Sequence, residues 1–213
     1  MPTSIGAVLD VPPGGADLGC IRVGFTGAAS LPPAFGARFR QVTGRALNEV
    51  YGMTEASGLI AMHPPGDDGG EASVGWALPY TQVVVCKPGA DGRLGPPCAP
   101  HEIGVITVRG PHVSPGYRNP AHDAGVIEGG VLNSGDLGYT DEHGRLYIAG
   151  RAKDLIIRSG HNIDPLMIEN ALASHPAVAL AAAVGMPDAY AGELPVCYVA
   201  LKPGASATED ELQ

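Results

Sequence analysis

The sequence predicts an α/β region that runs into a β-barrel-like region and closes with a small α+β region. Three observations carry this. Up to Tyr51 the chain reads strand–helix–strand. From about Ser73 it becomes a series of short strand candidates broken by Gly, Pro and Asp. After Arg151 a capped helix is followed by two further strands.

In order, "CIRVGFTGAAS" reads as a buried strand entering a tight turn of small residues. In "LPPAFGARFRQVTG", Phe35, Phe39 and Val42 recur at helical spacing, prolines open the helix and Gly44 stops it. "RALNEVYG" is a second strand ending in another turn. Ligands of such sheets favour the carboxyl ends of the strands. "TQVVVC", "GVITVRG", "VLNSGDLGYT" and "GRLYIAG" are the antiparallel candidates, and "DEHG" (Asp141–Gly144) is a hairpin turn. Asp164 caps and Pro165 opens a helix in "PLMIENALASH", with Leu166, Ile168, Leu172 and Ala173 as its apolar face. "VALAAAVG" and "LPVCYVALK" are two more strands, and Thr208 with Glu211 forms a capping box for a helix in "TEDELQ". The sequence stops inside that helix and starts ahead of a strand with no earlier partner, so a piece of a longer sheet, with unpaired edges, is expected.

The 213 residues have a globular composition, 45% hydrophobic and 16% charged. A net charge of −9 argues against nucleic acid as a partner, whereas a small nucleotide needs only a few local donors. Cys20, Cys86, Cys98 and Cys197 show neither CxxC nor metal-ligand spacing and read as reduced thiols. The N-terminus has no signal-peptide pattern, and the longest apolar run, Ala177–Met186, is too short to span a bilayer. A soluble, cytoplasmic protein is expected.

The chemistry-bearing signals lie in two stretches. In "EVYGMTEASG", Gly52 permits a turn that a side chain would hinder, and Tyr51 offers a face on which a base can stack. The Thr54 hydroxyl can donate to a phosphate oxygen, and the Glu55 carboxylate is a hard ligand suited to Mg²⁺. The ordinary alternative is a strand end with a polar turn. In "NSGDLGYTDEHGRLYIAGRAKDLIIRSGHNIDP", Asp136 can accept both hydroxyls of a ribose, and the planar fork of Arg151 can pair with phosphate or ribose oxygen. Lys153 falls where the pattern changes. A lone Gly-Asp turn and an exposed Arg/Lys pair are also common surface features. "TGAAS" (Thr26–Ser30) admits either a ligand close to the backbone or merely tight packing, and His63, between Met62 and Pro64, reads as a loop residue rather than a base.

Taken together, "GAAS", "YGMTEASG", "SVGWALP", "GVITVRGPHVSPGYRNP", "SGDLGYTDEHGRLYIAGRAKDLIIRSGHNIDP", "IENAL", "HPAV" and "AAAVGMPDAYAGELPVCYV" resemble the adenylate-forming superfamily, and within it the acyl-CoA synthetases acting on fatty and aryl acids. The resemblance covers nearly the whole chain. It implies an ATP-dependent ligase that joins a carboxylic acid to AMP and then transfers the acyl group to CoA, with ATP, Mg²⁺ and CoA as its small-molecule requirements. It implies a part of that fold: residues 1–72 as the end of the large α/β AMP-binding domain, 73–150 as its β-barrel-like subdomain, and 151–213 as the hinge and an incomplete small C-terminal domain. By motif match Gly27, Ala28 and Ala29 line the adenine site, Glu49, Val50 and Tyr51 border adenine, and Thr54 touches phosphate. Glu55 holds Mg²⁺, Asp136 the ribose, and Arg151 the ribose or phosphate. Lys153 is the hinge, about which the small domain moves between two poses, and Ser159 and Gly160 lie along the pantetheine path. Part of the acyl pocket falls in Glu55–Pro65.

The match also has gaps. The Ser/Thr/Gly-rich phosphate loop expected upstream and the late lysine expected beyond Gln213 are not in the sequence. Ile157 stands where many relatives have lysine, and Val105 where a barrel-strand acid is usual. The expectation is that the 213 residues alone adenylate poorly. Two other functions fit the same residues: a non-catalytic nucleotide-binding or interaction module, and an adenylation domain that loads a carrier protein. The lysine at the hinge favours the CoA ligase over the latter.

Overall fold

The computed structural model describes residues 18–28, 31, 33–67, 73–89 and 93–212, together with Ile5 and Leu9. Ala29 lies outside the described residues. The chain divides into two compact units, 1–149 and 150–213.

The first unit is built on one long sheet. Its strands are β1 (Gly24–Thr26), β2 (Leu47–Tyr51), β3 (Ala61–Met62), β4 (Ser73–Ala77), β5 (Gln82–Pro88), β6 (Leu94–Pro97), β7 (Gly104–Arg109), β8 (Ile127–Glu128), β9 (Val131–Thr140) and β10 (Leu146–Arg151). The order is β1-β2-β3-β4-β10-β9-β7-β5-β6, with β8 beside β9. β1 and β2 are parallel, pairing Thr26 with Glu49, and are joined by helix α1 (Pro33–Thr43), the crossover that a parallel pair requires. β2–β3, β3–β4, β4–β10, β9–β7, β7–β5 and β5–β6 pair antiparallel. The two-residue β3 and the glycine-containing β4 are too short and irregular to read from periodicity, yet they join the α/β end of the sheet to its antiparallel end.

Helix α1 packs Phe39 (8% exposed) over Gly24, whereas Val42 is 39% exposed. The buried stripe runs through Phe39 and Thr43, four residues apart, and Thr43 Oγ1 donates to the Phe39 carbonyl. Val42 lies at the margin of that stripe rather than on it. Gly44 takes a left-handed φ of +70° and its N–H closes the helix on Arg40. The core gathers Tyr51, Ala56, Ile60, Ala61, Val74, Val85, Ile106, Val108, Leu132 and Leu146 in the middle of the sheet. Gly75 is indispensable to it. Its φ is +82°, and a Cβ there would lie 2.3 Å from the Met62 carbonyl carbon and oxygen.

The second unit is a four-stranded sheet in the order β12-β11-β14-β13. Its strands are β11 (Ile156–Arg158), β12 (His161–Ile163), β13 (Val178–Asp188) and β14 (Gly192–Leu201). Helix α2 (Pro165–Ala173) packs on β13. Asp164 caps α2, its Oδ1 accepting from Leu166 N at 3.0 Å. Leu172 is the buried residue of its apolar face, Leu166 and Ile168 are half-buried, and Ala173 is exposed. Helix α3 (Glu209–Leu212) opens with Thr208 N and Oγ1 both donating to Glu211 Oε2. No helix among the described residues is long and apolar enough to cross a membrane.

Candidate nucleotide site

Strand β2 delivers its last residues to a loop that folds back on itself. Ile60 N donates to the Tyr51 carbonyl and Gly58 N to that of Met53, so residues 51–60 close into a compact excursion. A Cβ at Gly52 would sit 2.0 Å from the Gly58 carbonyl oxygen, which is why the chain has glycine there. Within the loop, Thr54–Ala56 form one 3-10 turn. Thr54 is exposed and Glu55 half-buried.

Two side chains tie this loop to distant strands. Tyr51, 8% exposed, donates its hydroxyl to Asp136 Oδ2 at 2.7 Å across 85 residues of sequence. Asp136, 6% exposed, owes its direction to an irregularity in β9. Val105 pairs with Leu137 but Thr107 pairs with Asn133, so β9 carries extra residues opposite β7. Gly135, at φ +72°, lies inside that bulge, and Ser134 Oγ accepts from Asp136 N while donating to the Ile106 carbonyl. The "NSGD" run is thus a device for re-aiming one carboxylate toward the end of β2.

The second tie involves Glu55. Its Oε1 accepts from the Tyr117 hydroxyl at 2.5 Å, and its backbone carbonyl accepts from Ser114 N at 2.7 Å. Ser57 Oγ donates to the His112 carbonyl. The segment after β7 is therefore bound to the Glu55 turn at three points. Sequence reasoning gave Tyr117 no role, although it stands in the "GPHVSPGYRNP" run that carries part of the resemblance.

The residues at the end of β1 meet the same edge. A Cβ at Gly27 would be 2.8 Å from Val50 Cγ2, and Ala28 takes a left-handed φ of +71°. Glu49 Oε1 accepts from Leu31 N at 2.7 Å, tying Leu31 to β2. Burial pushes the Glu49 carboxyl up, against the Leu31 N–H and the field of His63, which pull it down. Thr26 is 2% exposed and its Oγ1 has no hydrogen-bond partner among the described residues. Gly27, Ala28, Glu49, Val50, Tyr51 and Asp136 therefore cluster at the carboxyl ends of β1 and β2.

His63 is a buried structural residue, 1% exposed. Its Nε2 lies 2.8 Å from the Ser73 carbonyl, which can only accept, and its Nδ1 lies 3.1 Å from Asp67 Oδ2. Ile60 and Ala61, in the stretch expected to contribute to an acyl pocket, are fully buried core residues.

Arg151 ends β10, whose last two residues fall in the second unit, and Lys153 follows in a turn closed by Asp154 N on the Arg151 carbonyl; both side chains are exposed. Ser159 and Gly160, at φ +50° and +81°, are the two-residue turn between β11 and β12, exposed, with Ser159 N donating to the Ala191 carbonyl. A cavity of about 240 Å³ beside this turn is lined by Arg158, Ser159, His161 and Ile163.

A mixed sheet continued by antiparallel strands, then a small α+β unit, is the fold of the adenylate-forming enzymes. The ATP-bound MatB of Rhodopseudomonas palustris matches it with a TM-score of 0.88 and 33% identity, over 99% of this chain and 42% of that one. MenE of Bacillus subtilis, solved with its acyl-adenylate intermediate, matches with a TM-score of 0.82 and 31% identity, over 99% and 42%. The chain belongs to the AMP-binding enzyme family: that family's model matches residues 1–118, and the model of the AMP-binding enzyme C-terminal domain matches 167–213. A marinolic acid–CoA ligase of Pseudoalteromonas is 42% identical over the whole chain, and a long-chain-fatty-acid–CoA ligase of Bacillus subtilis is 40% identical over 92% of it. The chain spans about a third of the length of these curated relatives, 33% and 34%.

Proposed function

We propose that the chain supplies the adenosine site and the hinge of an ATP-dependent acid–thiol ligase, which converts a carboxylic acid to an acyl-adenylate and then to an acyl-CoA. The observation that carries this is the buried 2.7 Å bond between Tyr51 and Asp136. It joins the two motifs that a nucleoside would have to bridge, one able to face a base and one able to accept ribose hydroxyls. In this reading Gly27, Ala28 and Ala29 line the adenine, Glu49, Val50 and Tyr51 border it, and Asp136 holds the ribose. Arg151 reaches ribose or phosphate oxygen, Thr54 donates to phosphate, Lys153 is the hinge, and Ser159 with Gly160 flanks the pantetheine arm of CoA. The matching domain division is 1–72, 73–150 and 151–213.

The residues fit a magnesium ion that arrives with the nucleotide. No group of three or more potential ligands occurs among the described residues, and Glu55 offers a single half-buried carboxylate. Mg²⁺ usually keeps several waters and takes one or two carboxylates plus substrate phosphates, so one acid suffices. When bound it would offset negative charge on the phosphates. In the first reaction a carboxylate oxygen bonds to the α-phosphorus and the bond to pyrophosphate breaks. In the second the CoA sulfur, having lost its proton, bonds to the acyl carbon and AMP leaves. Thr54 donates to the phosphate oxygens, Asp136 fixes the ribose, and neither exchanges a proton with the reacting atoms.

Calorimetric titration of the chain with AMP tests the site. AMP is expected to bind, and Asp136→Ala to weaken it at least about tenfold, since an unmatched ribose hydroxyl pair costs more than 1 kcal/mol. Absence of AMP binding, or equal affinity in Asp136→Ala, would overturn the reading.

A further inference from the structure

We propose that Tyr117 is a positioning residue for the metal-bound nucleotide, acting through Glu55. The inference rests on the nucleotide site proposed above and adds a residue to it. Among the described residues the Glu55 side chain accepts from the Tyr117 hydroxyl on Oε1, which leaves Oε2 for a cation. A half-buried carboxylate with no donor on it would keep rotational freedom, and a metal would have to freeze it at an entropic cost. A donor on one oxygen fixes the carboxylate plane before the ion arrives.

Tyr117 is itself held. Its N–H donates to Asp123 Oδ1 at 2.7 Å, and Asp123 packs where a Cβ at Gly116 would come within 2.7 Å of Oδ2. Its ring meets His122 edge-on at 6.2 Å. Ser114 N on the Glu55 carbonyl and Ser57 Oγ on the His112 carbonyl fasten the same segment to the Glu55 turn from either side. The hydroxyl thus reaches Glu55 from a braced loop, 62 residues away in sequence. No core role competes, because Tyr117 is 37% exposed.

The test is ATP titration with and without Mg²⁺, on the unaltered chain and on Tyr117→Phe, Glu55→Gln and the double variant. Metal should tighten ATP binding to the unaltered chain. Tyr117→Phe should reduce that metal-dependent gain about tenfold, the usual range for a residue that supports a metal ligand. ATP affinity without metal should stay within about twofold, and in the Glu55→Gln background Tyr117→Phe should have no further effect. A merely structural tyrosine would shift both affinities alike. Retention of the gain in Tyr117→Phe overturns the inference and leaves the nucleotide site standing. Absence of any gain in the unaltered chain, or its retention in Glu55→Gln, removes Glu55 as the ligand and the inference with it. Failure of ATP to bind under either condition overturns the site itself. In the otherwise unaltered chain, where no variant need fold, 3-fluorotyrosine at 117 should shift its ¹⁹F resonance on MgATP addition; in Glu55→Gln that shift should vanish. An unchanged resonance in the first case would refute the role.

Discussion

Tyr51→Phe removes one oxygen and keeps the ring. Because Tyr51 is 8% exposed and packed in the core, the apolar contacts survive, and the change removes the donor of the bond to Asp136. A hydrogen bond to an ionised group is worth roughly 1.5–3 kcal/mol, and its carboxylate, 6% exposed, has little water to take the donor's place. The expected loss is therefore about 1.5–3 kcal/mol for the first unit. Trp76 is the chain's one tryptophan and lies in β4 of the same sheet, so its fluorescence during urea unfolding reports that unit. Asp136→Asn supplies the control, since it keeps the acceptor but removes the charge. In that background Tyr51→Phe should cost about half as much, because neutral pairs are roughly half as strong. A loss below about 0.5 kcal/mol, or an equal loss in both backgrounds, would show that the two side chains are neighbours without being coupled.

Two further outcomes follow from backbone geometry and from charge. Gly75→Ala should destabilise the first unit by roughly 3–5 kcal/mol in the same Trp76 assay, because it adds a Cβ at positive φ against strand backbone that cannot swing aside. Asp141 should dominate the acid limb of stability. Burial would raise its carboxyl, but hydrogen bonds from Arg145 N–H, the Arg145 guanidinium and His143 N–H hold it at about 2, below the 3.8 of a free carboxyl. A depressed folded value means that the stabilisation is complete above about pH 4 and is lost as pH falls toward 2. Asp141→Asn should therefore lower the melting temperature at pH 7, and the gap to the unaltered chain should close as the pH approaches 2; a gap independent of pH would contradict the assignment.

Much of the fold was legible because its signals are local. The helix opened by Pro33 and closed at Gly44, the Asp164 cap, the Thr208–Glu211 box and the long strands β5, β7, β9, β13 and β14 each rest on residues a few positions apart. Strand β4 was not legible, since "SVGWA" contains a glycine whose necessity arises from Met62, a neighbour only in three dimensions. The mismatch at Val42 has the same origin: periodicity identifies a helix, but the exact buried stripe depends on where β1 and β2 pass beneath it.

The chemistry divides along the same line. Residue types and their spacing were enough to place the chain in its family and to nominate Tyr51, Glu55 and Asp136 as candidates, because a motif is written in adjacent letters. That Tyr51 donates to Asp136, that a bulge in β9 aims the carboxylate, and that Tyr117 holds Glu55 could emerge only once the sheet was assembled. These contacts join positions 85 and 62 residues apart, and such pairs are fixed by strand register and by the burial of polar groups that must find partners, neither of which any short stretch of sequence contains.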